Sequence, residues 1–305
     1  MPKGGKREGA GRPSGTGRYA ESARSIRVPH SLIGPVSEML SEHLRLVAAG
    51  LRVSGKQVRT KVIAPIVVPP AGSASVIGPV DATSMLCALA DQKIKAAVVV
   101  LDPMYRGKQE AGRAAYLSET VPLLDAAARV APNIFLWGFP ESVARLVDHW
   151  PSNLKLVAWL TWFFKNVSSR SKSWRPSQQA CLHLRRRDGK LYPERFYSDR
   201  HRALAKENKL EFKMTPYSVI EQPLLSGFIR KSEQTGFRMQ KPESVIEPLL
   251  RMTTQPGDLV IDPTCGSGTT GAVAIKLGCA AILSDRSGHA LRISRRRLNQ
   301  PARSG

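Results

Sequence analysis

The chain has 305 residues, 42% of them hydrophobic, enough for one large buried core with a small appendage. Its 46 lysines and arginines outnumber 24 acidic residues, a formal net charge of +22 that says little of fold and points to a polyanionic partner, nucleic acid first. No apolar run is long enough to cross a bilayer and the basic N-terminus lacks an apolar leader core, so a membrane partner is excluded and a cytoplasmic setting is expected.

Residues 1–23 are glycine-rich and basic and read as a disordered arm; the GRP at 11–13 is similar to the core of an AT-hook, with a solvated tail as the alternative. Residues 24–60 begin with a short strand over 25–29. A helix over 31–50 follows, with Leu32, Ile33, Val36, Met39, Leu40, Leu44 and Val47 at helical spacing. The pair resembles the first half of a ribbon-helix-helix module.

From 61 to 184 strands and helices alternate: a helix near 83–89, a buried strand over 96–101, a helix over 114–130, a strand over 133–137, a helix over 141–149 and a strand over 154–162. Continuous apolar strands such as AAVVVL require a sheet covered on both faces. Residues 185–238 hold no regular period and read as a basic insert. In 239–305 a helix over 241–252 leads to a strand over 258–261, a glycine-rich loop, a helix over 269–277, a strand ending on Asp285 and one last helix. The expected class is α/β, a Rossmann-like sheet with an inserted basic region and a basic arm.

The four cysteines, Cys87, Cys181, Cys265 and Cys279, form no CxxC pair and no histidine stands at metal-ligand spacing, so no metal is expected. Gly266, Gly268 and Gly271 satisfy G-x-G-x-x-G, and Asp285 follows about 20 residues on, as a dinucleotide fingerprint asks. Against a dinucleotide stands Asp262-Pro263, a carboxylate at the strand end that a pyrophosphate would meet with repulsion. A P-loop is ruled out because no lysine follows the glycines. A cationic, phosphate-free nucleoside fits better, and S-adenosylmethionine has that chemistry.

The sequence DPTCGSGTT at 262–270, with KPESVIEPLL at 241–250 and DPMY at 102–105 far upstream, resembles the β-class, circularly permuted amino-methyltransferases of DNA. That resemblance spans about 80–298. It implies an S-adenosylmethionine-dependent methyltransferase sheet in which 61–184 is the catalytic half, 185–238 the target-recognition region and 239–305 the cofactor half. It further implies that Asp262, Pro263, Thr264, Gly266, Ser267, Gly268 and Thr269 form the cofactor loop and that Asp285 holds the ribose. Lys241 would lie beside the methionine moiety and Asp81 near the adenine, an N-cap being the alternative for Asp81.

In the same family pattern, Asp102 and the Pro103 carbonyl accept the N–H bonds of an exocyclic amine, favouring the pyramidal nitrogen that attacks a methyl group. Tyr105 stacks on the flipped base. Met104 departs from the family's second proline and gives up that residue's fixed φ. Asp at the first position leans towards adenine N6 over cytosine N4. No cysteine follows a proline, which argues against covalent attack on cytosine C5. Arg185, Arg186, Arg187 and Lys190 are read as DNA contacts, with a solvated face as the bland alternative for any one of them.

The reading is a DNA amino-methyltransferase acting on duplex DNA, with a homodimer possible, restriction-modification as its wider setting and a solitary, phage- or prophage-type enzyme as the kind that the basic arm suits. A DNA-binding protein that keeps the fold without turnover, and an RNA methyltransferase, remain open beside it. With this charge, DNA affinity is expected to fall steeply with salt. Anisotropy titrations at 50 and 200 mM salt should differ by roughly 10³-fold or more if six or more phosphates are neutralised.

Overall fold

The computed structural model describes residues 64–103, 110–147, 149–167, 174–211, 215–238 and 240–299. The basic arm, the strand over 25–29 and the helix over 31–50 lie outside the described residues, as do Met104 and Tyr105. The chain divides into two compact units, Thr60–Tyr105 with Thr120–Gly305, and Met1–Arg59 with Arg106–Glu119. In the second of these, the described residues 110–119 are helical. The first carries the sheet.

Eight strands form that sheet: β1 (Ala74–Ile77), β2 (Val98–Leu101), β3 (Asn133–Gly138), β4 (Lys155–Phe163), β5 (Gln178–Arg185), β6 (Val219–Glu221), β7 (Leu259–Asp262) and β8 (Ala280–Ser284). They lie in the order β1-β8-β7-β2-β3-β5-β4-β6. Neighbours are parallel except around β5, which runs antiparallel to both β3 and β4. The helices are α1 (Ala82–Asp91), α2 (Glu110–Val130), α3 (Pro140–Val143), α4 (Asp199–Lys206), α5 (Glu243–Thr253), α6 (Thr269–Lys276) and α7 (Gly288–Leu298). This is the expected α/β class.

The central strands β2, β3, β7 and β8 are buried along their whole length, which is why they read as unbroken apolar runs. On α5, Val245, Ile246, Leu249 and Leu250 fall on one helical face and join the core with Val98, Val100, Val260 and Leu283. Parallel pairing of β2 with β7 sets Val98 beside Val260 and Val99 beside Ile261. The C-terminal ends of these strands, Asp102 and Asp262, therefore emerge side by side although 160 positions of chain separate the two, near the 162 that part Asp102 from Thr264.

Some elements differ from expectation. The helix expected over 141–149 is one turn, Pro140–Val143, followed by a 3₁₀ turn at Ala144–Leu146. Strand β5 lies where the sequence shows no strand pattern, because QQACLHLR has no β-branched residue. Its place is fixed by pairing on both sides, with Ala180, Cys181, Leu182 and Leu184 buried between β3 and β4. Within 185–238 the structure holds α4 and β6 rather than an irregular insert throughout.

His183 on β5 is one consequence of that pairing. It packs on Phe135, with ring centroids 4.4 Å apart, and its Nε2 lies 3.2 Å from Asn133 Oδ1. Burial, helped by the Arg185 charge, lowers its pKa to about 4. A depressed histidine lends stability that is fully present above the free value near 6.5 and is lost as pH falls towards 4. Each pH unit between the free and folded values is worth about 1.4 kcal/mol. Urea unfolding between pH 7 and pH 4 should therefore show the wild type losing about 3 kcal/mol more than His183→Gln.

Candidate active site

The site lies at the carboxyl ends of β2, β3, β7 and β8, where open α/β sheets gather their ligands. After β7 the chain turns through Pro263–Gly268 into α6. Gly266 and Gly268 take φ of +51° and +77°, a region that penalises a side chain. Space is as restrictive as torsion: a methyl group on Gly268 would lie 3.2 Å from the Ser294 Cα, and one on Gly266 would lie 3.1 Å from the ring of Phe237. Gly268 caps α6 with no side chain over the first N–H groups.

Asp262 is 3% exposed and takes three hydrogen bonds, from Thr270 Oγ1 (2.6 Å), Thr264 N (2.9 Å) and Thr264 Oγ1 (3.1 Å). Thr264 Oγ1 also accepts the backbone N–H of Asp102 at 2.7 Å. The hydroxyl thus spends its proton on one strand end and its lone pair on the other. Burial raises the Asp262 pKa to about 7 against the pull of those hydrogen bonds, with the nearby Asp102 charge adding to the rise.

Asp102 forms an ion pair with Lys241, whose side chain is only 7% exposed. The ammonium stands 5.0 Å from the ring centre of Trp137. Trp137, wholly buried near the end of β3, has an indole N–H with no hydrogen-bond partner among the described residues. Around Asp102, Trp137, Phe237, Lys241, Asp262 and Gly266 there is a cavity of ≈ 40 Å³.

Asp285, at the end of β8, accepts from Gly266 N (3.0 Å) and Ser287 N (2.8 Å). It ties the glycine loop to the start of α7, and each oxygen keeps a lone pair for a hydroxyl donor. Asp81 caps α1 through Ser84 N at 3.0 Å, the N-cap alternative, and the neighbouring Val80 N–H bonds to Asp285 O at 3.2 Å. Thr269 Oγ1 donates to the Lys241 carbonyl at 3.0 Å and receives Arg297 Nη1 at 3.0 Å. Arg297 also bonds Glu243 at 2.7 Å, so α7 holds the starts of α5 and α6 together. Ser267 lies 3.2 Å from Thr269 through their hydroxyls.

The structure therefore brings together Asp102, Pro103, Lys241, Asp262, Pro263, Thr264, Gly266, Ser267, Gly268, Thr269 and Asp285, with Asp81 capping α1 next to Val80. Trp137, Phe237, Thr270 and Arg297 escaped the sequence reading. Trp137 had a usable signal, its place at the end of a buried strand next to that of Asp102.

Arg185, Arg186, Arg187 and Lys190 are placed elsewhere. Antiparallel pairing sets Arg185 beside Asn133, the first residue of β3, at the end of the strands opposite Asp102. There Arg186 grips Asp188 and the Ala128 carbonyl, and Arg185 bonds Gly189 O. All four cysteines are free thiols, and burial pushes Cys181 and Cys265 well up, away from thiolate chemistry.

Residues 86–296 match the family model described as DNA methylase. The chain belongs to that DNA methylase family, whose model covers adenine-N6 and cytosine-N4 members. Among curated relatives, the Type II methyltransferase M2.LlaDCHI of Lactococcus lactis subsp. cremoris is 42% identical over 78 residues, 25% of this chain and 29% of that protein. The match thus spans less than a third of the relative's length. Among solved structures, the M1.HpyAVI–SAM complex superposes with a TM-score of 0.52 at 20% identity, over 74% of this chain and all of that one. The cytosine-N4-specific PvuII DNA methyltransferase gives 0.51 at 17% identity, over 77% and 91%. These likenesses concern the fold.

The donor set suits a cationic ligand: carboxylates converge on the loop and no lysine follows its glycines to bind phosphate. In the free protein Asp262 is largely protonated below about pH 7, and a bound cation favours the ionised form. Calorimetric titration should show affinity for S-adenosylmethionine rising between pH 6 and pH 8, with the rise absent in Asp262→Asn.

Proposed function

We propose that this chain transfers a methyl group from S-adenosylmethionine to an exocyclic amino group of a flipped base in duplex DNA, adenine N6 ahead of cytosine N4. The observation that carries this reading is the bridge from the Asp102 backbone through Thr264 to Asp262. It sets a candidate amine acceptor and a candidate cofactor loop on adjacent strand ends.

Bound in the loop, S-adenosylmethionine would supply an electrophilic methyl group on a sulfonium centre. Gly266, which lines the pocket, presents bare backbone to it, and the two acceptor oxygens of Asp285 suit ribose hydroxyls. Lys241 and Phe237 would line the path to Asp102. On the other side, Asp102 and the Pro103 carbonyl accept the two N–H bonds of the target amine and localise its lone pair. As the nitrogen–methyl bond forms the sulfonium–methyl bond would break, leaving a neutral thioether, the surplus amine proton would pass to the Asp102 carboxylate and on to water, and the Tyr105 ring would hold the base by stacking. Asp102 in the first position of its motif supports adenine.

The order along the chain, with Asp102 on β2 and the glycine loop after β7, supports the circularly permuted class. Duplex DNA is the partner in this reading, a homodimer is compatible with it, and the stretch after β5 would carry target recognition.

Incubation with methyl-labelled cofactor and sheared genomic DNA, followed by nucleoside analysis, should place the label on N6-methyladenine. Asp102→Ala should lower transfer at least 10²-fold, the scale of losing a preorganised acceptor. Label on N4-methylcytosine would reverse the choice of base. Transfer surviving Asp102→Ala would remove that residue from the chemistry.

A further inference from the structure

A second cavity, of ≈ 310 Å³, shares no lining residue with the catalytic pocket. Phe135 of β3, Leu160 of β4 and His183 of β5 supply its sheet wall, and Leu249 and Met252 of α5 line it as well. Val157 and Tyr217 also line it and are exposed, at 40% and 89%, so they mark its mouth. The two cavities share a framework: Trp137 and Ile246 line the catalytic pocket, Phe135 and Leu249 the other, on the same strand and the same helix. Protein interiors leave few voids larger than a water molecule, and an apolar cavity of about 150 Å³ is enough to take up benzene. The volume here suits a bicyclic ring.

On that largely apolar wall His183 offers one polar handle. Asn133 Nδ2 donates to Ala97 O at 3.1 Å and to Lys190 O at 3.4 Å, which leaves Asn133 Oδ1 as the acceptor 3.2 Å from His183 Nε2. Nε2 therefore carries the ring hydrogen. The ring is 3% exposed and neutral near pH 7, because burial lowers its pKa to about 4. Nδ1 thus holds a bare lone pair, with no hydrogen-bond partner among the described residues. A buried acceptor left unmet is costly, and a donor brought in by a ligand relieves that cost.

We propose that this cavity is a second ligand site, which takes a small, uncharged, planar aromatic molecule whose single N–H or O–H donates to His183 Nδ1. Apolar walls with a few placed polar groups are the usual make-up of such sites. Among the described lining residues there is no lysine, arginine, aspartate or glutamate, so a nucleotide would bring a phosphate that meets no counter-charge. Phe135, packed on His183 with ring centroids 4.4 Å apart, and Tyr217 at the mouth add aromatic surface for a planar occupant. Methyl transfer plays no part in this inference.

The test is calorimetric titration of the full chain with indole and with 1-methylindole, which keeps the bicyclic shape and lacks the donor. S-adenosylmethionine is held at saturation throughout, so that the catalytic pocket is filled. Indole should bind with a dissociation constant of about 1 mM or tighter, and 1-methylindole about tenfold more weakly. Val157→Trp, a change at the exposed mouth, should abolish the indole signal and leave the thermal midpoint in place. His183→Phe should bind the two indoles alike.

Indole that gives no saturable heat at several millimolar, or that binds Val157→Trp as it binds the wild type, would overturn the site. Equal affinity of the wild type for the two indoles would overturn His183 as the acceptor and the ligand class with it, a comparison that holds even if His183→Phe fails to fold.

Discussion

Thr264 joins the ends of two neighbouring strands. Its hydroxyl takes the Asp102 N–H and gives its own proton to Asp262, so the end of β2 and the end of β7 are locked to each other within two hydrogen bonds. Only parallel neighbours whose registers agree can present their C-terminal ends in this way, and the pairing of Val98 with Val260 provides that register. A slip by one residue would turn Asp262 to the other face and leave its carboxylate without Thr264 and Thr270.

Around that link, three carboxylates are treated differently by their surroundings. Asp262 is buried and hydrogen-bonded, a charge kept costly until a cation arrives. Asp102 is paired with Lys241, whose ammonium also lies over Trp137. Asp285 spends both oxygens on backbone N–H groups and so shapes the glycine loop before it meets any ligand. The helices after these strands are fastened by Arg297, which reaches Thr269 on α6 and Glu243 on α5 from the last turn of α7. Phe237 and Lys241 line the pocket beside Asp102 and the glycine loop.

Much of this was legible in the sequence because local chemistry dictated it. Buried parallel strands announce themselves as apolar runs, and the glycines of GSG mark positions where a side chain would be strained or would collide. The order of DPMY, KP and DPTCGSGTT was enough to indicate the family. Local pattern failed at β5, where QQACLHLR looks like no strand, and at Trp137, which reads as one more core aromatic. It failed also at Phe237 and Arg297, whose partners lie 28 or more positions away.

The sequence by itself determined the α/β class, the glycine loop, the carboxylates at strand ends and the positive charge that calls for a polyanion, since each depends on residue type and short-range spacing. Tertiary structure alone decided where that charge points. An arginine run reads the same at either end of a strand. Here β5 runs antiparallel to β3, which carries Arg185 away from Asp102 and leaves Trp174 and Arg175 on the side of the site. Strand direction is settled by hydrogen bonds between segments distant in sequence, and no local pattern records it.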